Sequence, residues 1–305
     1  MSLNIYTSIE EGLKAIFGNE VSIVSKSYVG GGDINDSSLL KLSNGEVVFV
    51  KTNSYRNRDF FRAEESGIEA LASTKAITVP ELLFRGADET DDSSFLCMKY
   101  IRQGSHTEDF WEDFGHKLAR MHLAETKRFT GSGNFGFDSD NYIGATSQIN
   151  TPESSWLDFF LKCRLEPQFK MADDYFDSEM RHNIERFLDK IPSLIVEPEA
   201  PSLLHGDLWS GNYMVGNDGH AVLIDPAVYV GHAEADLAMT ELFGRFPQRF
   251  YDAYSEVNKI EAEYKERRDI YNLYHLLNHL NLFGIIYLDG VLGIVNRYNS
   301  DSWIC

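Results

Sequence analysis

The chain predicts an α+β protein of two lobes, a small sheet lobe over residues 1–101 and a larger, mainly helical lobe over residues 102–305. Three observations carry this. Short apolar runs separated by turn residues fill most of the first hundred positions, and apolar residues recur at helical spacing over most of the remainder. Between the two regimes polarity rises, and a glycine breaks the chain at Lys99, Tyr100, Ile101, Arg102, Gln103 and Gly104. With 305 residues and 43% hydrophobic content, the chain is long enough to give each lobe its own core.

Composition removes several classes of function. Lysine and arginine total 28 against 47 aspartate and glutamate, a net charge of −19 that disfavours nonspecific binding to nucleic acid or to an anionic membrane and tolerates a cationic substrate. Cys97, Cys163 and Cys305 are odd in number, widely spaced and free of any CxxC pair, which argues against a disulfide framework or zinc site. A reducing compartment, most simply the cytoplasm, is therefore expected. No basic stretch followed by an apolar core opens the chain, and no run of 18 apolar residues occurs, so neither a signal peptide nor a membrane span is expected.

In chain order, Thr7, Ser8, Ile9 and Glu10 form a capping-box pattern before an apolar helical face of Ile9, Leu13, Ile16 and Phe17. Strands are predicted over 21–29 and 39–42, enclosing Gly30, Gly31, Gly32, Asp33, Ile34 and Asn35. A glycine-rich turn between strands lets backbone amides approach phosphate oxygens, although alone it reads more simply as a flexible loop. The turn at 43–46 leads into an apolar strand, 47–51, ending on Lys51. In the helix over 57–73, Phe60, Phe61, Ile68 and Leu71 form the apolar stripe, and Glu64 lies inside it. A carboxylate on a buried face wants a cation, and Lys51 is the candidate, since a strand lysine paired with a helix glutamate fixes the phosphate-binding lysine of kinase-type enzymes. Glu65 and Glu69 read as solvated charges. Strands follow around 79–85 and 95–98, and then the boundary segment, whose backbone suits adenine in a nucleotide-binding enzyme or serves as an ordinary linker.

Beyond it, helices are predicted from Phe110, Phe114, Leu118 and Met121, from Trp156, Phe159, Phe160 and Cys163, and from Met180, Ile184, Phe187, Leu188 and Ile191. Residues 131–156 form a long polar loop whose Asn134, Asp140, Asn141, Gln148 and Asn150 suit either a polyhydroxylated ligand or simple turns. Residues 226–232 read as a loop and 234–243 as a helix, with Asp236 placed where the helix dipole favours an acid. Helical patterns continue over 250–257, 260–288 and 292–304. His275 and His279, four apart without a companion carboxylate motif, read as packing histidines.

The chemistry concentrates between Leu203 and Asp225. A short apolar strand runs into His205, Gly206 and Asp207, Asn212 follows five positions later, and a hairpin with its turn at 216–219 delivers Asp225 beside the loop. The plain alternative is an Asx-rich surface turn. Two acids and an amide converging in this way are what phosphoryl transfer needs: a carboxylate to orient a hydroxyl and accept its proton, and an Asn and an Asp to hold Mg²⁺ against phosphates.

Together these features resemble the fructosamine kinase (ketosamine-3-kinase) family, within the aminoglycoside phosphotransferase and choline kinase group of protein-kinase-like folds. The resemblance spans nearly the whole chain and rests on GGGDIN (30–35), VFVK (48–51), NFGFDSDNYIGATSQIN (134–150), SSWLDFFLKCRLEPQ (154–168), HGDLWSGN (205–212) and IDPAVYVGHAEADLAM (224–239). It implies an antiparallel sheet lobe joined to a helical lobe with ATP between them. It further implies Asp207 as catalytic base, Asn212 and Asp225 as Mg²⁺ ligands, Lys51 with Glu64 on the phosphates, and residues 30–35 over them. Met98, Lys99, Tyr100 and Ile101 are implied as the adenine hinge, Trp209 with Asn141 and Gln148 as the sugar pocket, and His205 and Asp236 as loop supports. Two positions depart from the family pattern: Ala233 stands where many members carry arginine, and Asp33 where some carry cysteine, which removes a redox switch through that loop. The implied activity is Mg²⁺- and ATP-dependent phosphorylation of the sugar 3-hydroxyl of free or protein-bound ketosamines by a monomer or weak homodimer. Its rivals are a kinase of another hydroxylated amine, such as an aminoglycoside or choline-like compound, and a noncatalytic nucleotide-binding scaffold.

Overall fold

The computed structural model describes residues 3–30, 35–131 and 134–300. Strands β1 (Ile5–Tyr6), β2 (Ile23–Val29), β3 (Asp36–Leu42), β4 (Val47–Asn53), β5 (Leu82–Asp88) and β6 (Ser93–Lys99) form one sheet in the order β1-β5-β6-β4-β3-β2. All neighbours are antiparallel except the edge pair β1 and β5, where Ile5 aligns with Arg85 in parallel register, so the sheet is mixed at one edge and not purely antiparallel. Helix α1 (Ile9–Phe17) starts one residue later than its capping pattern suggested: the Ser8 hydroxyl accepts the Glu11 amide, and the Glu11 carboxylate reaches back to Thr7. Leu13 of this helix packs with Leu40, Leu42, Val48, Val50, Phe84, Phe95 and Cys97.

Helix α2 (Arg58–Ser73) lies on the opposite face of the sheet, with Phe61 and Ile68 against Leu96 and Met98. It is buried on more than the one face that its apolar stripe marks. Gly67 approaches Pro226 and Val228 of the helical lobe, and the Phe60 ring lies 4.1 Å from that of Tyr142. Glu65, one step around from Glu64, consequently faces β5 instead of solvent. It is only 5% exposed, pairs with Arg85 and accepts the Leu3 amide at 3.1 Å. The expectation of a solvated Glu65 fails because its partner stands on a strand 20 residues away.

The helical lobe comprises α3 (Phe110–His122), α4 (Lys127–Thr130), α5 (Trp156–Phe160), α6 (Glu166–Met171), α7 (Ser178–Leu194), α8 (Ala233–Leu242), α9 (Gln248–Val257), α10 (Tyr264–Phe283) and α11 (Leu288–Asn299). Phe110, Phe114, Phe246, Phe250 and Tyr213 make a continuous aromatic core between α3, α9 and the site hairpin. Between α5 and α6 a π-type turn over Leu161–Leu165 rotates Arg164 fully inward, where it stacks on Phe159, Tyr229 and Tyr274. The helix predicted over 260–288 ends earlier, at Gly284 with φ +88°, and α11 begins at Leu288. Two predicted loops contain strands. Residues 131–156 hold the hairpin β7 (Asn141–Ile143) and β8 (Thr146–Gln148), and residues 226–232 hold β12 (Tyr229–Gly231), which pairs with β9 (Ser202–Leu204). Strands of three residues are too short to show alternation. The remaining pair, β10 (Tyr213–Val215) and β11 (Ala221–Leu223), is the predicted hairpin.

Two contacts hold the sheet lobe and the linker against this hairpin. The Leu223 amide donates to the Thr78 carbonyl at 2.9 Å, and the Gly104 amide donates to the Val215 carbonyl at 3.0 Å. Any side chain at Gly104 would strike the Gly216 carbonyl, so the linker runs backbone against backbone there.

Candidate active site

Strand β9 ends at Leu204 and the chain turns at once through His205, Gly206 and Asp207. Gly206 makes the turn feasible: its φ is +82°, and a Cβ would collide with the Ala227 carbonyl. The turn is pinned from below by Asp236, whose Oδ2 accepts the His205 amide at 2.7 Å and whose Oδ1 accepts the Gly206 amide at 2.8 Å. His122 Nε2 lies 3.1 Å from the same carboxylate. Burial opposes the charge on Asp236, but His122, His205 and the backbone donors outweigh it and hold its pKa below the usual carboxylate value. Asp236 therefore braces the loop and does not merely sit in the first turn of α8, which is capped by the His232 side chain. His205 is equally structural. Its Nε2 lies 2.9 Å from the Ile224 carbonyl and its Nδ1 accepts the Asp207 amide at 3.2 Å, which fixes the tautomer; burial lowers its pKa and keeps it neutral.

Asp207 and Asn212 meet as the spacing predicted. Asn212 Nδ2 donates to the Asp207 carbonyl at 2.8 Å and to Oδ2 at 2.9 Å, and the Asn212 carbonyl accepts the Ile224 amide at 3.0 Å, lashing loop to hairpin. Burial pushes the Asp207 carboxyl up to about 7; the Asn212 hydrogen bond opposes this, while Asp225 and Asp236 add to it. Asp225 follows β11 in left-handed backbone, φ +53°, a conformation that aspartate tolerates better than most residues. The turn aims its side chain back toward the sheet lobe.

There it meets Lys51. The ammonium lies 2.6 Å from Glu64 Oε1 and also contacts Asp225 Oδ1, so one cation from β4 joins a carboxylate of α2 to one of the helical lobe. Burial would lower the lysine pKa, but attraction to Glu64 and Asp225 outweighs it and holds the group charged. Burial pulls Glu64 toward neutrality while Lys51 opposes it; with the ammonium at contact distance, the pair is charged.

The donor set left over fits Mg²⁺. Asn212 Oδ1 and the second oxygen of Asp225 accept no hydrogen bond from the described residues. A carboxylate and an amide oxygen are the hard ligands that this ion uses alongside water and phosphate. Among the described residues no group of three or more His, Cys, Asp or Glu side chains forms a protein-only metal cage.

Gly30 follows the end of β2, and Asn35 Oδ1 accepts from Asn53 Nδ2 at 2.7 Å, whereas Gly31, Gly32, Asp33 and Ile34 lie outside the described residues. At the linker the Met98 side chain is buried with Phe61, Ile68 and Leu96, and Lys99 pairs with Glu81 at 3.2 Å on the surface. This leaves the backbone around Tyr100 and Ile101 as the part able to face a ligand. A cavity of about 340 Å³ lined by Gln103, His106, Ser210, Tyr213, Met214 and Val215 adjoins the linker and the catalytic loop. A larger cleft of about 930 Å³ opens elsewhere, beside the start of α8, and includes Ala233, His122, His232, Glu197 and Asn134, but not Lys51, Asp207, Trp209, Asn212 or Asp225.

Trp209 is partly exposed two positions beyond Asp207; its ring folds over Gly211 and lies 6.2 Å from that of Phe243, which in turn is 4.7 Å from His279. Asn141 and Gln148, expected in the sugar pocket, are placed differently. They are 5% and 2% exposed, and their amides are spent on the framework. Asn141 Nδ2 donates to the Val228 carbonyl, Gln148 Nε2 to the Ala227 carbonyl and Asn141 Oδ1, and Gln148 Oε1 accepts from Tyr274. Asn150 joins through Asn141 and Arg164. This network holds the 227–228 segment on which Gly206 rests, so it supports the catalytic loop from behind and commits these amides to the framework. His275 was missed: its Nδ1 lies 3.8 Å from Asp207 Oδ1. A histidine without a neighbouring motif gives no sequence signal of a contact 68 residues distant.

A sheet lobe clasped to a helical lobe through a lysine, with an HGD loop and an asparagine beside it, is the arrangement of protein-kinase-like phosphotransferases. An aminoglycoside phosphotransferase solved as its ternary complex with streptomycin and ATP superposes with a TM-score of 0.61 over 97% of both chains at 16% identity, which shows the shared fold. Within that class the fructosamine kinase family profile matches residues 5–300. The chloroplastic protein-ribulosamine 3-kinase of Arabidopsis thaliana is 40% identical over 92% of this chain and 84% of its own. The crystal structure of a protein designated fructosamine-3-kinase from Haemophilus somnus 129PT superposes with a TM-score of 0.82 at 29% identity, covering 96% of this chain and 97% of that one. The chain belongs to the fructosamine kinase family.

Proposed function

We propose that the protein is an ATP- and Mg²⁺-dependent kinase that phosphorylates the 3-hydroxyl of the sugar in ketosamines, free or protein-bound. The observation that carries this reading is the Lys51 ammonium held by Glu64 and Asp225 beside the Asp207–Asn212 pair, in a chain of this family. Asn212 fixes one oxygen of Asp207, and the other orients the sugar hydroxyl and takes its proton as the new oxygen–phosphorus bond forms and the bond to ADP breaks. Lys51 holds the α and β phosphates, the glycine turn at 30–35 covers them, the backbone at Tyr100 and Ile101 receives adenine, and the Trp209 ring walls the sugar. Asn212 and Asp225 hold Mg²⁺, which when bound neutralises charge on the transferring phosphates. Most of the rate enhancement comes from this alignment, because a loose transition state asks little covalent work of the protein.

Buried free thiols at Cys97 and Cys163 suit a reducing compartment, for which we propose the cytoplasm, with the chain acting as a monomer or weak dimer. No described helix is long and apolar enough to cross a membrane.

The test is Mg²⁺-dependent ATP consumption with ribuloselysine, fructoselysine, an aminoglycoside or choline as acceptor, comparing the intact protein with Asp207→Asn. The expected result is turnover of a ketosamine that falls about 10²- to 10⁴-fold in the variant, the usual contribution of a general base, with nucleotide binding retained. Near-normal turnover by Asp207→Asn removes the base assignment, and turnover of another amine alone replaces the substrate.

A further inference from the structure

His275 sits on α10 in one stripe with Tyr271 and His279, on the side of the helix that meets the catalytic loop. It is 3% exposed. Its Nδ1 is the one histidine nitrogen, among the buried polar side-chain atoms of the described residues, that has no hydrogen-bond partner. Asp207 Oδ1, the oxygen that Asn212 does not hold, lies 3.8 Å away. A buried imidazole nitrogen left unpaired costs stability that an apolar residue of similar size avoids, so a packing role alone gives no reason for a histidine here.

The ring is neutral: burial is the main cause that lowers its pKa, to about 3, and His279 and Arg164 add to it. A neutral imidazole carries a single N–H, and an inward shift of about 1 Å brings Nδ1 to hydrogen-bonding distance of the carboxylate. Such contacts are commonly long in a ligand-free enzyme and tighten when the substrate binds. His279 stays out of the way, since its Nδ1 is engaged with the His275 carbonyl at 2.8 Å.

We infer that His275 is a positioning residue for Asp207, donating Nδ1–H to Oδ1 in the loaded enzyme so that Asn212 and His275 hold one carboxylate oxygen each. The inference rests on the kinase reading above. With both oxygens held, the carboxylate plane is fixed, and the remaining lone pair on Oδ1 faces the sugar hydroxyl. His275 itself touches neither substrate nor nucleotide.

The experiment compares His275→Asn, whose amide nitrogen falls near the place of Nδ1, with His275→Gln, whose amide falls near Nε2, and His275→Leu, which keeps bulk without a donor. Steady-state kinetics with the acceptor that the wild type turns over fastest are read beside melting curves. His275→Leu and His275→Gln are expected to lose about 10- to 100-fold in kcat with both KM values unchanged, and His275→Asn to stay within about threefold of wild type. Equal activity across the three variants overturns the inference, as does equal impairment in the Asn and Leu variants or a loss confined to KM. Should His275→Leu fail to fold, the contrast between Asn and Gln still decides. A wild type that is inert on every acceptor removes the kinase reading and this inference with it. A wild type that needs Asp207 but is indifferent to His275→Leu removes this inference alone.

Discussion

Replacing Asp236 with asparagine takes a charge from beneath the catalytic loop and puts an NH₂ group where an oxygen now accepts. The carboxylate receives the His205 and Gly206 amides at 2.7 and 2.8 Å in a site 1% exposed to solvent. Asparagine can satisfy one of these donors, and the other must face the new amide hydrogens. Hydrogen bonds to a buried charge contribute about 1.5–3 kcal/mol each, and an orphaned buried donor costs about 1–3 kcal/mol, so the substitution should destabilise the fold by about 2–4 kcal/mol. His122, left without its anion, adds to the loss. Because the strain falls on the turn carrying Asp207, kcat should fall with it, while nucleotide affinity, governed by Lys51 in the other lobe, should hold. Urea denaturation monitored by tryptophan fluorescence, together with steady-state kinetics, reads both. An Asp236→Asn protein within about 0.5 kcal/mol of wild type, the scatter of innocuous surface changes, would refute the brace.

Gly206→Ala needs left-handed backbone and a methyl group where the Ala227 carbonyl stands, so it should abolish activity and lower the melting temperature; Gly45→Ala, at a similar φ of +89° but with open space around it, is the control that isolates the collision. Acid should weaken the metal-free protein in a defined window. Burial lowers the pKa of His205, and it is the main cause that brings His232 to about 4 and His275 to about 3, below the value of about 6.5 in the unfolded chain. As pH falls below about 6.5 the unfolded chain takes up protons that the folded one refuses; His232 and His275 each cost about 1 kcal/mol between pH 7 and 5.5, and His205 adds in the same direction. Asp207, raised to about 7, binds its proton in the folded state over the same range and offsets roughly one histidine. The urea midpoint in EDTA should therefore fall more steeply with acid in Asp207→Asn than in wild type, and parallel profiles would contradict this account.

What could be read from the residues was whatever is local or strongly patterned. Lys51 ending an apolar strand and Glu64 inside an apolar helix face each violate their surroundings, and the two violations resolve each other in a 2.6 Å pair. The spacing from Asp207 to Asn212 and the hairpin to Asp225 are likewise set within 20 residues. Glu65 was misjudged because a helix wedged between two lobes has a second buried face that one apolar stripe does not reveal. Asn141 and Gln148 were assigned to ligand recognition because polar residues in a long loop look exposed; their burial depends on Ala227, Val228 and Tyr274, about 80 to 130 residues onward. Arg164 faces inward only because a π-type turn re-aims it, and helical periodicity has no term for that. Helix boundaries such as the stop at Gly284 were legible in kind but not in place.

Lys51 has one native counterion from its own lobe and one borrowed from the other. An arriving polyphosphate brings negative charge of its own and can take over the lysine, freeing Asp225 for other duty. The exchange leaves no stage at which the ammonium is buried and unpaired, so opening the cleft to a nucleotide is a change of partners and not a desolvation of charge. Glu64 is the constant in that exchange: it stays with the lysine whichever anion stands on the far side, and so keeps the cation aimed when the lobes part.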